Sequence, residues 1–291
     1  MRVAHLILTY TNPGQTERMI RNLQHKNFDF YIHVDKKFDI SPHLYLQKLP
    51  NVYFIKNRVD VTWAGFSTVM ATFECIKEIV AAGIQYDFIN FLSGQDYPIK
   101  SAEYINGFFE SNIGKEFLSY RDINNDWTEG LLRMNKYHLS AYSFKGKYRI
   151  EQLINSIMPK RTLPNKLQPF GKSMFWMLSP ATAMFVVNEV ENDSKLRNFF
   201  WLCWATDEFV FQTILLNSPL KDKIVNNNYR YIDWSAGGAN PKILNEEDAD
   251  ALAASTDLFA RKFDVINSPG ILDFIDNNLL THGTYHQYTN V

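Results

Sequence analysis

Cysteine is scarce in this sequence. Only two of its 291 residues are cysteines, Cys75 and Cys203, and each lies in an apolar segment with a helical pattern. Neither belongs to a Cys-x-x-Cys pair or to a mixed Cys and His pattern, so the sequence predicts neither a disulfide-stapled scaffold nor a zinc site. Two isolated cysteines are typical of a reducing compartment, and we expect the protein to be cytoplasmic.

Net charge and long apolar segments are also lacking. The 30 basic residues nearly balance the 31 acidic residues, and a formal net charge of −1 gives no overall electrostatic footprint for nucleic acid or for an anionic membrane. The apolar run in residues 1–10 contains His5 and is too short for a signal sequence or a membrane span. It predicts a first β-strand. Any contact with the inner membrane is therefore expected to be peripheral and local.

Familiar phosphate-binding motifs are absent. No Gly-x-Gly-x-x-Gly follows the first predicted strand and no Gly-x-x-x-x-Gly-Lys-Ser/Thr occurs, which argues against a dinucleotide enzyme or a P-loop. The literal Asp-x-Asp at Asp248 and Asp250 lies among other acids and predicts the charged start of a helix. Where a metal-binding motif would be expected, Ser93-Gly-Gln-Asp96 offers one carboxylate, which is a poor divalent site. A bound diphosphate would therefore need protein cations.

Apolar and aromatic residues are plentiful. Hydrophobic residues make up 46% of the chain and aromatic residues 15%, enough for a sizeable core and for rings that line a carbohydrate cleft. Strand-like and helix-like patterns alternate, which predicts an α/β sandwich with a mostly parallel central sheet. The predicted strands are residues 4–10, 28–37, 52–56, 86–98, 171–179 and 229–235. The predicted helices are residues 15–25, 67–82, 180–190, 206–218, 245–254 and 271–280.

No repeat, low-complexity tract or linker divides the chain, so we predict one domain over residues 1–291. Its first part, about residues 1–120, is typical of a nucleotide-binding half, because ligands bind at the carboxyl ends of strands in such sheets. Residues 121–170 are polar, irregular and basic, as expected either for a connecting region or for a mobile loop over a site. This basic segment is also where we expect any peripheral membrane contact.

Two adjacent acids open the helix predicted from Thr206. Thr206 is a good N-cap, and the helix dipole favours Asp207 and Glu208 in the first turn. One interpretation is that both acids simply complement the helix dipole. The other is that Glu208 is a partly desolvated base facing a sugar. Trp63 and Trp234 also allow two interpretations. Each ring could stack on a sugar, or it could be an ordinary core residue.

Other charged residues lie at the ends of predicted strands. Asp35 ends the second strand and could either form a turn or accept hydrogen bonds from a base or a ribose. Arg261 and Lys262 are bracketed by apolar residues and could stabilise charge on a leaving phosphate. The alternative for these two cations is an ion pair with Asp257 or Asp264.

Taken together, these features resemble the core-2/I-branching β-1,6-N-acetylglucosaminyltransferase family, glycosyltransferase family 14, which also includes peptide O-xylosyltransferases. Each matching motif is weak alone, but the motifs follow the family's order and cover nearly the whole chain. They are His33-Val-Asp35, Val61-Thr-Trp63, Asn90–Lys100, Gly171–Trp176, Thr206-Asp-Glu208, Ile232-Asp-Trp234 and Leu258–Asp264.

The resemblance implies a GT-A type fold and an inverting transfer from a UDP-sugar that needs no metal. By this match Glu208 is the general base, Asp35 meets the uracil, Lys262 meets the diphosphate and Trp234 packs on the acceptor sugar. The second diphosphate cation is Arg261 or Lys242. Acceptor-side basic residues fall near Arg133 and Lys136. Asp96 and Asp207 complete the set of expected substrate-binding residues.

By the same resemblance, residues 121–291 form the acceptor and catalytic half. The donor expected from the family is UDP-GlcNAc, and the sugar is transferred to a 6-hydroxyl. The predicted cytoplasmic location suggests that the acceptor is a glycan or a lipid-linked oligosaccharide used in polysaccharide synthesis. UDP-xylose is the alternative donor, and a non-catalytic glycan-binding or nucleotide-binding protein is the alternative class. The sequence lacks the stem, anchor and many cysteines of animal members, so we expect a soluble bacterial member.

Overall fold

The central element of the fold is a β-sheet. The structure is a computed structural model, and it describes residues 1–238 and 240–281. In these residues the strands are β1 (Val3–Thr9), β2 (Phe28–Val34), β3 (Val52–Phe54), β4 (Phe88–Ser93), β5 (Asp96–Pro98), β6 (Glu116–Asp122), β7 (Phe170–Leu178), β8 (Ile224–Val225), β9 (Arg230–Ile232) and β10 (Phe259–Arg261). Seven of them form the central sheet, in the order β3-β2-β1-β4-β7-β6-β8, and the other three form a small sheet in the order β5-β10-β9.

Only β7 runs against the other described strands of the central sheet. β1 pairs in parallel with β2 and β4, and β2 pairs in parallel with β3. β7 is antiparallel to both β4 and β6, so β6 runs in the same direction as β4. The carboxyl ends of β1, β2, β4 and β6 and the amino end of β7 therefore lie at one edge of the sheet.

Helices cover both faces of this sheet. In the described residues they are α1 (Pro13–Asn22), α2 (Ser67–Ala81), α3 (Ala102–Ser111), α4 (Glu129–Asn135), α5 (Lys147–Ile157), α6 (Pro180–Asn192), α7 (Ser194–Trp201), α8 (Val210–Leu216), α9 (Ala249–Ala254) and α10 (Pro269–Asn278). α2, α6, α7 and α8 share one apolar core with the sheet, whereas α1, α3, α10 and the small sheet share the other. The strands are buried on both faces, which is why they read as continuous apolar runs.

The predicted α/β sandwich with a mostly parallel sheet is confirmed. Several local predictions are wrong or incomplete. Residues 121–170 are not uniformly irregular, because they contain α4 and α5, and α3, α7 and β6 were not predicted at all. Asp193 caps α7 by accepting hydrogen bonds from the amides of Lys195 and Leu196, at 2.8 and 3.1 Å.

Thr206 does not cap a long helix. Thr206–Glu208 is a short 3-10 turn that follows Ala205 in the left-handed region (φ 54°), and α8 begins only at Val210. The chain leaves helical geometry at Phe209 (φ −144°), whose ring is fully buried in the core. The two acids therefore lie on a tight turn rather than in the first turn of a regular helix.

None of the helices in the described residues has the length and apolar character needed to cross a bilayer.

Candidate active site

A cavity of about 1130 Å³ lies at the edge of the sheet where the strand ends meet. Its volume exceeds the ~300–1,000 Å³ that is typical of pockets for drug-sized ligands. It extends from the loop after β2 to the ends of β6 and β7. Seven predicted site residues line it: Asp35, Arg133, Asp207, Glu208, Trp234, Arg261 and Lys262.

Asp35 lies at one end of this cavity, immediately after β2. Its side chain is buried, and Oδ1 accepts hydrogen bonds from the amides of Lys37 (3.0 Å) and Val61 (3.2 Å). Oδ2 lies 3.7 Å from Lys37 Nζ. Backbone amides thus fix the Asp35 carboxylate while one oxygen keeps acceptor capacity.

Glu208 lies beside a guanidinium that two indole rings hold in place. Arg133 Nη1 donates a hydrogen bond to Glu208 Oε2, and Arg133 Nη2 pairs with Glu129 at 3.0 Å. The guanidinium carbon of Arg133 lies 4.8 Å from the centroid of Trp127 and 4.7 Å from that of Trp204. Stacking between two indoles limits the movement of Arg133, so Arg133 fixes the direction of the Glu208 carboxylate.

Burial makes both acids of the turn more basic than usual. It raises the pKa of Glu208, although the charge of Arg133 opposes the rise. It also raises the pKa of Asp207 to about 7, with a further contribution from the neighbouring Glu208 charge. Asp207 Oδ1 is buried and has no hydrogen-bond partner in the described part of the chain. Raised pKa values beside a cavity are typical of acid–base sites.

A group of cations forms the floor of the cavity near β4 and β10. Arg261 Nε lies 3.0 Å from Asp96 Oδ1, and its guanidinium carbon lies 4.5 Å from the Phe175 ring. Burial, followed by the charge of Arg261, lowers the pKa of Lys262. Within residues 1–238 and 240–281, no carboxylate lies within 4.0 Å of the Lys262 ammonium. Arg261 and Lys262 therefore present more positive charge to the cavity than nearby acids neutralise.

Three predicted site residues do not line the cavity. Asp96 is fully buried beneath Arg261, where it also accepts a hydrogen bond from the Ser93 amide at 2.7 Å. Lys136 is exposed at the end of α4. Lys242 pairs at 2.7 Å with Asp248, which also completes a capping box with Asn245. Asp96 therefore holds Arg261 in place. Lys136 and Lys242 lie away from the position of a ligand in the cavity.

Trp63 and Trp234 are not core residues. Trp63 is 64% exposed and Trp234 is 50% exposed, and both line the cavity. Trp63 meets Trp204 edge to face, with 5.6 Å between the ring centroids. Exposed indole faces beside a polar cavity suit stacking on the apolar face of a sugar ring.

Sequence reasoning missed several residues of the site. Arg230 is buried, donates hydrogen bonds to Asn90 Oδ1 (2.6 Å) and to the Phe91 carbonyl (2.9 Å), and has a pKa that burial lowers to about 10. The sequence feature that could have identified Arg230 is the one used for Arg261, namely a cation between apolar residues of a strand. Arg121 and Lys172 line the opposite end of the cavity on adjacent strands. Their proximity appears only when β6 pairs with β7.

The described residues contain no group of three or more His, Cys, Asp or Glu side chains arranged to hold a metal ion. Metal independence stays a prediction.

One family model matches most of the chain, and similar curated proteins align over nearly all of it. The family model described as "Core-2/I-Branching enzyme" matches residues 3–253. The chain is 25% identical to rat "Xylosyltransferase 2" over 316 aligned positions, which cover 98% of this chain and 34% of that protein. It is 24% identical to "Xylosyltransferase oxt" of Drosophila melanogaster, covering 95% of this chain and 33% of that protein. The chain thus spans about a third of the length of these relatives.

Among solved structures, mouse "Xyloside xylosyltransferase 1, apo form" aligns with a TM-score of 0.43 and 11% identity. The alignment covers 89% of this chain and 97% of that one.

Proposed function

The chain belongs to the Core-2/I-Branching enzyme family, and we propose that it is an inverting, metal-independent transferase that moves a sugar from a UDP-sugar to a glycan hydroxyl. One observation carries the proposal. The cavity holds a basic carboxylate, Glu208, together with two cations, Arg261 and Lys262, of which Arg261 is paired with one carboxylate, Asp96. A carboxylate base and a cationic phosphate site are the two groups that a single displacement needs.

The proposed reaction is one balanced step. The acceptor hydroxyl gives its proton to Glu208 as its oxygen forms a bond to the anomeric carbon of the donor. The bond from that carbon to the UDP oxygen breaks on the opposite face, and its electron pair leaves with the diphosphate. Arg261 and Lys262 stabilise that charge, while Arg133 keeps Glu208 oriented.

The donor sugar is open between two members of the same reaction class. We propose GlcNAc transfer with a β-1,6 linkage, as the sequence resemblance implies. The names of the rat and fruit-fly relatives favour xylose instead. Xylosyl transfer is therefore the second candidate, and it uses the same roles for Glu208 and Lys262.

We include a cytoplasmic location and a glycan or lipid-linked oligosaccharide acceptor in the proposal. Cys75 and Cys203 are both buried and unpaired, which supports a reducing compartment. Burial raises the pKa of the Cys203 thiol to about 12, so this thiol is unreactive.

Donor hydrolysis tests the proposal without knowledge of the acceptor. Purified protein is incubated with UDP-GlcNAc or UDP-xylose, each with excess EDTA or with Mn²⁺, and released UDP is measured. We expect release from one donor that EDTA does not reduce. Release that requires Mn²⁺ would contradict the role of Arg261 and Lys262. UDP binding without release from either donor, with or without candidate acceptors, would favour a binding protein.

A further inference from the structure

Helix α5 presents its polar face to the protein and its apolar face to solvent. Asn155 donates a hydrogen bond to the Tyr137 carbonyl and accepts one from the Tyr137 amide, both at 2.8 Å. Glu151 accepts a hydrogen bond from the Leu139 amide at 2.8 Å. None of the residues of α5 is buried. This is the reverse of an ordinary surface helix, whose apolar side packs on the core.

The outward face of α5 is a continuous apolar stripe. Ile150, Leu153 and Ile157 recur at helical spacing, and Met158 follows directly after the helix. Leu153 is 60% exposed and Ile157 is 71% exposed. We call these four residues the α5 apolar face. An exposed apolar stripe costs free energy in water, so it usually marks a surface that something covers.

Cations surround this face. Residues 145–160 contain four exposed or half-buried basic side chains and a single acid, Glu151, which is turned towards the protein. The cations are Lys145, Lys147, Arg149 and Lys160. In the described part of the chain none of the four forms an ion pair. The aromatic rings of Phe144 and Tyr148 are exposed beside them.

We propose that the α5 apolar face docks on the surface of an anionic lipid bilayer. A helix of this kind lies in the plane of the interface with its apolar side among the acyl chains, while basic side chains contact lipid phosphates. α5 is about 16 Å long. The four unpaired cations in and beside α5 are complementary in charge to an anionic bilayer. An uncharged partner would not require them.

Docking would also fix the position of the cavity relative to the membrane. Tyr137 and Leu139, which hold α5, follow α4 directly, and α4 carries Arg133, the partner of Glu208. A docked α5 would therefore hold the acceptor side of the cavity near the bilayer, where a lipid-linked acceptor would lie. This last point rests on the proposed function, whereas the docking itself does not.

Vesicle flotation tests the docking directly. The full chain is floated with vesicles of phosphatidylcholine alone or of phosphatidylcholine with phosphatidylglycerol, and the bound fraction gives a partition coefficient. We expect flotation only with the phosphatidylglycerol vesicles. Leu153→Ser and Ile157→Ser should each lower the partition coefficient about ten-fold. Lys145→Gln and Arg149→Gln should each lower it about five-fold.

Ile266→Ser is the matched control, because Ile266 is 72% exposed but lies away from α5. It should leave flotation unchanged. Since all the substituted side chains are exposed, the variants should unfold at the wild-type temperature. Failure of the wild type to float with phosphatidylglycerol, or unchanged flotation of a Leu153→Ser/Ile157→Ser double variant, would overturn the proposal. A concentration-dependent dimer that this double variant abolishes would instead assign the face to a second copy.

Because flotation needs no turnover, its outcome is independent of the donor hydrolysis result.

Discussion

Two opposing influences act on the carboxylate of Glu208. Burial favours its protonated form, whereas the guanidinium of Arg133 favours the anion. Burial has the larger effect, so Glu208 is a better proton acceptor than an ordinary surface glutamate and is still held in one orientation. The stacking of Trp127 and Trp204 on Arg133 explains how a long, flexible side chain can fix that orientation.

Glu208→Gln should abolish the base while preserving the shape of the cavity. We expect UDP affinity to stay near the wild-type value and sugar transfer to fall at least about 10²-fold. Calorimetry with UDP and single-turnover transfer separate the two effects. Near-normal transfer by this variant would remove Glu208 from the role of base.

Arg133→Gln should move the pH profile of transfer. In the proposed mechanism the active form of Glu208 is deprotonated, so activity should fall as the pH drops through its pKa. Loss of the Arg133 charge raises that pKa further, and the acid limb of the profile should shift to higher pH. The shift is measured from kcat/KM against pH. Lys136→Gln, an exposed position outside the cavity lining, should leave the limb in place.

Lys262 and Lys242 give a direct test of the phosphate site. Lys262 faces the cavity without a carboxylate partner in the described residues, whereas Lys242 is paired with Asp248. We expect Lys262→Ala to weaken UDP binding by about ten-fold to a hundred-fold, because a charge-assisted hydrogen bond is lost. Lys242→Ala should leave UDP affinity unchanged. The reverse pattern in calorimetric titrations would transfer the role to Lys242.

At the scale of elements, the contact between β7 and the Thr206–Glu208 turn fixes the position of Glu208, the proposed base. A Cβ on Gly171 would lie 2.7 Å from Phe209 Cβ, 2.9 Å from the Glu208 carbonyl oxygen and 2.8 Å from the Trp127 ring. Only a residue without a side chain allows the strand to approach the turn this closely. The alignment of Glu208 thus depends on a strand that the sequence analysis included among the family motifs but did not connect with Glu208.

Gly171→Ala should therefore impair both stability and transfer. Overpacking at such a site costs about 1–3 kcal/mol, and the relief of the clash would displace Glu208. Urea denaturation and transfer assays measure the two losses. Gly14→Ala is the control, because a Cβ there meets nothing within 4 Å and Gly14 lies in α1. If Gly171→Ala unfolds like the wild type and transfers normally, the contact does not position the base.

Much of the element order was predictable because local patterns encode it. The apolar strands follow from burial on both faces of the sheet, and the period of α2 follows from burial of the side of the helix that packs on the core. The break at Phe209 was not predictable, because it arises from packing against Gly171, which is distant in the sequence. α5 was missed for the opposite reason, since its apolar residues do not face the core.

At the scale of the whole molecule, strand order determines which site residues meet. Asp35 follows β2, whereas Arg121 and Lys172 lie on β6 and β7, so the two ends of the cavity are separated by the strands between them. Neighbouring strands lie about 4.8 Å apart, and three steps from β2 to β7 give a span of roughly 14 Å. The strand order therefore brings Glu208 and the cations into one cavity, although these residues are far apart in the sequence.

The acids of the site also affect the stability of the whole chain. The pKa of Asp207 is about 7 in the folded protein because of burial and the Glu208 charge, against an ordinary value of 3.8. A raised carboxyl pKa means that the unfolded chain releases this proton first, so its contribution to stability is lost as the pH rises from about 4 to 7. Asp207→Asn cannot ionise and should escape this loss.

We therefore expect Asp207→Asn to exceed the wild type in free energy of unfolding by about 1–3 kcal/mol at about pH 8, and by less at about pH 5. Urea denaturation at both pH values measures the difference. Asp39→Asn is the control: the Ser41 amide lowers the pKa of Asp39, so the contribution of this carboxylate is fully present above its ordinary pKa, and the difference from the wild type should be the same at both pH values. A gain for Asp207→Asn that does not grow with pH would show that packing rather than ionisation accounts for it. A growing gain would mean that the protein keeps an unfavourable charge at the cavity, as expected where the site serves chemistry rather than stability.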